Sequence, residues 1–322
     1  MQPKKPDKVR VSIGTATVLG LELVRSDCVP ETAYLQTYYE GRCSANCAFC
    51  AQARTAGASL ERIARGLYPP YLTDTIVERL HKAVEAKILK RICLQTLIYD
   101  EFLSHVLWLT ENLPAPISVS LPPQSDEILQ RLKDNGVDKI VIPLDGITQE
   151  IFDSIKGNKV DGPYRWEKHL DGIERAIKIF GRGNVGTHLM IGLGETEKEA
   201  AELIQRLHDI GAYSALFAYT PIENTQLKRE KPTLQHYRKI QLLHYIISKN
   251  ISGIDGMEFV DGRVEDFGVD VKDIVLSGKP FQTTGCPDCN RPFSTEDPRV
   301  IYNFPRELTK EEIKKIEETI NG

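Results

Sequence analysis

The chain has 322 residues, enough for one large α/β barrel or two smaller domains. It is 41% hydrophobic and 27% charged with a net charge of −4, and its Lys and Arg are spread along the chain, which argues against a nucleic-acid-binding surface. No apolar run approaches the ~20 residues of a membrane span. The opening MQPKKPDKVR is basic but no apolar stretch follows it, so it does not read as a secretory signal, and the expected location is the cytoplasm.

In chain order, strands alternate with helices. A strand is predicted over Ala33–Tyr39 and an amphipathic helix over Thr73–Leu89, with Ile76, Leu80, Ala83 and Val84 on one face. Then follow the strand Arg91–Thr96, the helix Glu101–Asn112, the strand Ile117–Leu121 and the helix Ser125–Asn135, closed by Gly136. The strand Lys139–Leu144 leads to a helix from Thr148 and another over Trp166–Phe180. Val185–Ile191 and Ala215–Tyr219 read as strands, each followed by a helix, Thr196–Ile210 and Leu234–Lys249. Short strands at Met257–Val260 and Val264–Phe267 and a terminal helix at Leu308–Ile320 complete the reading. Six β-α units in succession imply a parallel sheet curled into a full or partial TIM-type barrel. A doubly wound open sheet would carry a glycine-rich phosphate loop after its first strand; here that strand runs into cysteines. Residues 1–29 read as an N-terminal helical extension, 30–255 as the barrel and 256–322 as a C-terminal segment.

Five of the seven cysteines fall in two clusters, Cys43-Cys47-Cys50 and Cys286-Cys289. In a chain this long with an odd cysteine count, clustering points to metal or redox chemistry rather than a disulfide framework. The segment GRCSANCAFCAQAR gives Cys-x3-Cys-x2-Cys, with Phe49 just before the last cysteine. Three thiolates on one short loop suit three corners of a [4Fe-4S] cube and leave one iron open to a small chelating molecule. Zinc is the alternative, but it prefers four ligands in paired Cys-x2-Cys units. The loop also falls at the end of the first barrel strand, on the face where such barrels build active sites.

The motif resembles the radical S-adenosylmethionine (SAM) superfamily, in which the methionine part of SAM occupies the open iron and reductive cleavage yields a 5′-deoxyadenosyl radical. The resemblance implies further SAM-binding residues. MIGLGETEKEA is similar to the family's strand-five motif and offers Gly192, Gly194 and Glu195. IPLDG places Asp145 at the barrel mouth, where a carboxylate would bond a ribose or substrate. AYTPIENTQL resembles the segment bordering adenine. Arg165 in GPYRW is a candidate partner for the SAM carboxylate.

Within the superfamily, residues 30–255 are similar to biotin synthase and its relatives, on CSANCAFCAQAR, RICLQT, IPLDG, MIGLGET and RWEKHLDGIERA. Biotin synthase holds a sulfur-donating [2Fe-2S] cluster on three strand cysteines and an arginine. Cys93 matches the strand-two ligand, whereas Ser118 and Gly186 stand at the other two cysteine positions, so that cluster cannot be assembled in the same way. GCPDCNRP instead resembles the tail of components of an archaeal-type two-protein lipoyl synthase. That likeness implies an auxiliary [4Fe-4S] cluster held by Cys93, Cys286 and Cys289, with the tail expected to fold over the barrel mouth. Ser294 and Cys28 are candidates for a fourth ligand. Cys28 precedes the first strand, at the barrel end opposite the mouth, and reads rather as a buried structural thiol.

The resulting expectation is sulfur insertion into an unactivated C–H bond of a protein-bound octanoyl, or monothiolated octanoyl, chain. Its partners would be a lipoyl-carrier protein or its octanoyl-lysine segment, a second radical SAM subunit and a low-potential electron donor, with no nucleic acid or membrane. The rivals are biotin synthesis from dethiobiotin, a radical SAM isomerase or cofactor-maturation enzyme with structural or zinc-binding tail cysteines, and a non-enzymatic iron–sulfur or zinc-binding module. The last explains the cysteines but not the SAM-like motifs.

Overall fold

The computed structural model describes residues 1–25, 28–291 and 299–321. Its framework is six parallel strands: β2 (Thr32–Thr37), β6 (Arg91–Gln95), β7 (Ile117–Ser120), β8 (Val137–Val141), β9 (Val185–Ile191) and β10 (Tyr213–Ala218). They line up in that order in one eight-stranded sheet, which ends beyond β2 in β1 (Lys8–Val11) and β5 (Pro70–Leu72). The α/β partial-barrel fold expected from the β-α alternation is therefore the one observed. The N-terminal extension is not purely helical, however. Its KVRV segment is β1, which pairs antiparallel with both β2 and β5, and only the six-residue α1 (Ile13–Val18) is helix. Two-residue strands β3 (Arg62–Ile63) and β4 (Gly66–Leu67) lie between β2 and β5 and also escaped the sequence reading.

Between the parallel strands run α2 (Thr73–Glu85), α3 (Phe102–Asn112), α4 (Asp126–Asp134), α5 (Gln149–Ile155), α6 (Trp166–Phe180) and α7 (Glu197–Ile210); α8 (Leu234–Ser248) follows β10. Their boundaries follow cap chemistry. Thr196 and Glu199 form a reciprocal capping box at the start of α7, and Gly211 ends it in the left-handed conformation. Apolar helix residues such as Ile76 and Leu80 of α2 pack on the outward strand residues Ile92, Leu94, Ile117, Val119, Ile140, Leu189 and Leu216, and all are buried in one core. The short hairpin of β11 (Glu258–Val260) and β12 (Arg263–Asp266) covers α7, and the terminal helix, Lys310–Asn321, packs on α8.

Alternate residues on each strand point inward instead. Gln36 on β2, Cys93 and Gln95 on β6, Ser118 and Ser120 on β7, His188 and Met190 on β9, and Ala215 and Phe217 on β10 line a single interior cavity of about 300 Å³. Among the described residues, no helix is long and apolar enough to cross a membrane.

Candidate active site

The cysteine loop sits at the carboxyl ends of the strands, directly after β2, and its backbone is tied to its neighbours. Ser44 N–H donates to the Ile98 carbonyl, Ala48 N–H to Ile155, and Leu227 N–H to Ala48. Arg42 clasps the Ala51 and Ala58 carbonyls, and Gln52 bonds to Gln36 inside the barrel. This pinning sets Cys43, Cys47 and Cys50 on the cavity roof with Phe49 beside them. Phe49 packs against Ile155, Leu193 and Tyr219.

Burial raises all three thiols, Cys50 to about 11 and Cys47 further still. The protein alone thus favours the protonated form, and cationic iron is what would make these sulfurs thiolates. Among the described residues, no three Cys, His, Asp or Glu side chains converge as ligands of one metal ion do. The donor set, three thiols from one loop opening on a cavity, fits a cube with a free corner.

Asp145 is also on the roof. It sits at φ 62°, which aspartate tolerates better than most residues, and is pinned to β9 by its N–H on the His188 carbonyl and its own carbonyl on Met190 N–H. Its Oδ2 accepts from Lys156 Nζ at 2.7 Å, and Lys156 also donates to the Pro143 carbonyl. Lys156 is buried over the Tyr164 ring, and its charge works against burial to lower the Cys47 thiol. Sequence reasoning passed over this lysine, because only the path of α5 carries it back to Asp145.

Four candidates, Arg165, Gly192, Gly194 and Glu195, stand apart from the cavity lining. Arg165, expected to reach the SAM carboxylate, is exposed and turns its Nη1 onto the Gly162 and Tyr164 carbonyls. Gly192 and Gly194 do adopt positive φ, but a side chain at Gly192 would strike Pro232 and one at Gly194 would strike Arg229. Their freedom lets the chain pack closely against these two residues. Glu195 is buried and folds back: its carboxylate accepts from Gly192 N–H and Leu193 N–H, at 2.6 and 2.9 Å. It also pairs with His236, whose other ring nitrogen meets Glu197, and the two carboxylates raise that histidine to about 9. The GLGETE segment braces the end of β9 and the start of α7.

The C-terminal arm corrects the expectation most. It does not cross the mouth but enters at the amino ends of the strands and forms the floor. Asp288 carbonyl accepts from Thr32, the first residue of β2, and Asn290 N–H donates to Tyr34. On the other side Thr284 and Arg291 bond the Leu216 N–H and carbonyl, the edge groups of β10. The arm so bridges both ends of the parallel array and satisfies an exposed strand edge. Within it, Cys289 N–H donates to the Cys286 carbonyl in a tight turn with Asp288 at φ 60°.

Cys93, Cys286 and Cys289 all line the lower part of the cavity. Burial raises Cys93 strongly and Cys286 as well. Tyr213 Oη lies 3.1 Å from Cys286 Sγ. Gly186 explains itself here: a Cβ at that position would fall 2.2 Å from the Tyr213 ring. Cys28 is at this end too, as expected, but half-buried rather than enclosed, with its Sγ 3.5 Å from Asn290 Nδ2. Ser294 lies outside the described residues. Midway up the cavity stands His188, edge-on to Phe217 and lowered to about 4 by burial, so it is a neutral imidazole.

A barrel with a three-cysteine loop at the carboxyl ends of its strands is the arrangement of enzymes that bind an iron–sulfur cluster and a small ligand at one mouth. Comparison with known proteins agrees: the model of the Radical SAM superfamily matches residues 40–207, just over half of the chain. The chain belongs to the radical SAM superfamily. It is 26% identical over 249 residues to the biotin synthase of Persephonella marina, covering 74% of this chain and 70% of that one. Among solved structures it resembles methylornithine synthase, with a TM-score of 0.51, 15% identity and 72% of each chain covered. It also resembles HydG, a maturase of the [FeFe]-hydrogenase, with a TM-score of 0.53 and 15% identity, covering 68% of this chain and 50% of that one. These two likenesses concern the fold.

Proposed function

We propose that this chain is a sulfur-inserting radical SAM enzyme acting on an unactivated C–H bond of a protein-bound octanoyl or monothiolated octanoyl chain. The observation that carries the reading is that one cavity joins two sets of three cysteines, Cys43, Cys47 and Cys50 above and Cys93, Cys286 and Cys289 below. A cube above with SAM would supply a hydrogen-abstracting radical, and a cluster below would supply sulfide. The chain's own residues hold and orient. Lys156 fixes the Asp145 carboxylate toward the roof, and the loop carbonyl and amide bonds fix the three upper sulfurs. Leu97, Leu121, Val141, Met190 and Phe217 give the space between them apolar walls that suit an aliphatic chain and exclude water. Partners on this reading are a lipoyl-carrier protein, a second radical SAM subunit and a low-potential electron donor.

A second reading, biotin synthesis from dethiobiotin, is favoured by the similarity to biotin synthase. It still requires a donor cluster on the tail, because Ser118 and Gly186 replace strand cysteines. One experiment separates the two. The reconstituted protein is incubated anaerobically with SAM, a strong reductant and either an octanoyl-lysine peptide or dethiobiotin. Mass spectrometry is expected to find thiolated peptide and unchanged dethiobiotin; the reverse result transfers the chain to biotin synthesis. Deoxyadenosine without sulfur in either product would remove both readings.

A further inference from the structure

The two cysteine sets differ in what surrounds their sulfurs. On the roof, the donors to sulfur are backbone amides: Ile98 N–H reaches Cys43 Sγ at 3.3 Å, and Cys50 is served by the amides of Gln52 and Ala53. The buried cation beside Cys47, Lys156, is neutralised by Asp145 at 2.7 Å. On the floor, side chains crowd the sulfurs. Tyr213 Oη is 3.1 Å from Cys286 Sγ, Tyr34 Oη is 3.6 Å from Cys289 Sγ, and Arg291 Nη1 is 3.4 Å from the same sulfur.

These floor groups are held in place by the fold. Tyr34 receives the Asn290 N–H at 2.9 Å, which leaves its own proton for Cys289 or for Asn290 Oδ1. Tyr213 occupies space that only a glycine at 186 provides. Arg291 is clamped by the carbonyls of Thr284 and Leu216, with its guanidinium 3.8 Å from the Phe217 ring centroid. A second guanidinium, Arg91, is buried at the start of β6, where it donates to Ser118 and Asp138. Its Nε has no partner, and its charge acts on Cys93 and Cys286.

We propose that Tyr34, Tyr213 and Arg291 are positioning residues that set a cluster on Cys93, Cys286 and Cys289 at a higher reduction potential than the cluster on Cys43, Cys47 and Cys50. The inference rests on the two-cluster reading above. Reduction adds negative charge to a cluster and its thiolates. Hydrogen bonds to sulfur and nearby cations stabilise that charge, and a buried, low-dielectric setting magnifies both. Phenols stay protonated at neutral pH and guanidiniums stay charged, so the floor donors persist under working conditions. The asymmetry suits the chemistry proposed. When a carbon radical bonds to an iron-bound sulfide, the new C–S bond takes the radical's electron and one electron of a sulfur lone pair. The second electron of that pair passes to ferric iron, which becomes ferrous. A floor that accepts an electron readily favours that outcome, while a roof that has amide donors but whose one buried cation is neutralised by Asp145 keeps more of the reducing power SAM cleavage demands.

The test is a potentiometric titration of the reconstituted, full-length protein followed by electron paramagnetic resonance. Two reductions are expected, the higher of which is absent in the Cys286→Ala/Cys289→Ala variant. Tyr213→Phe, which removes one hydroxyl, is expected to keep its iron and move only the higher reduction to lower potential, and Tyr34→Phe to move it the same way. If Tyr213→Phe fails to hold the floor cluster, the order of the two reductions in the unaltered protein and the Tyr34→Phe shift decide the matter. The proposal is overturned if the floor cluster is reduced together with or after the roof cluster, or if both phenylalanine variants retain iron and leave its potential unmoved. Failure of the underlying reading looks different: the unaltered protein would then bind about four irons per chain, one cube's worth, rather than about eight.

Discussion

The loop of Cys43, Cys47 and Cys50 is pinned on the roof by bonds between main-chain groups, to which the sulfurs add only amide contacts such as Ile98 N–H on Cys43 Sγ, so each cysteine can be changed with modest effect on the loop. Replacing any one by Ala is expected to abolish reductive SAM cleavage, measured as deoxyadenosine by chromatography, while the melting temperature of the metal-free protein changes little. Deoxyadenosine surviving in the triple variant would remove the roof assignment. His236 gives a residue-level expectation of another kind. Its pKa is raised from 6.5 to about 9 by Glu195 and Glu197, so its pairing stabilises the fold fully below about pH 6.5 and is lost as pH rises through about 9. His236→Gln is expected to flatten the fall in melting temperature over that window, and to cost about 3 kcal/mol at neutral pH by removing the cation that the two buried carboxylates share. An unchanged alkaline profile in the variant would show that the pairing contributes nothing.

At the scale of elements, the arm carrying Cys286 and Cys289 is the piece with the most to say. The Cys286→Ala/Cys289→Ala variant is expected to lose about four irons per chain yet still make deoxyadenosine with substrate present, since the roof is untouched. It should form no sulfur-containing product; retention of iron and of C–S bond formation would make the arm structural. The β9–β10 pair offers a packing test. Gly186→Ala places a methyl against the Tyr213 ring and is expected to cost about 1–3 kcal/mol, but little when it is made in a Tyr213→Ala background. Additive losses in denaturant melts would show that the two positions are independent. The strands and helices of the barrel were legible in the sequence because each carries its own period of apolar residues, and the cysteine loop because its ligands are neighbours. Lys156, the Tyr213–Gly186 fit and the arm's route to the floor were not. Each depends on which segments meet across the barrel, which no local pattern encodes. KVRV was missed as β1 because four residues between Asp7 and Ser12, two of them cationic, give too short an alternation to stand out.

As a whole molecule, the chain offers three cysteines at each end of one cavity, and the floor is closed by the arm while the roof lies at the open mouth. Air exposure is therefore expected to bleach the reconstituted protein and release iron, beginning with the roof; full iron content and deoxyadenosine formation after such exposure would contradict it. The arm across the floor has a last consequence, for traffic. With the lower end plugged by residues 284–291, whatever reaches Cys93 and Cys289 must come down past the place where SAM would sit. A shaft with one doorway imposes a queue: the species that goes deepest boards first and leaves last. Steady-state kinetics are accordingly expected to show ordered addition, substrate before SAM, with deoxyadenosine and methionine released ahead of the thiolated product.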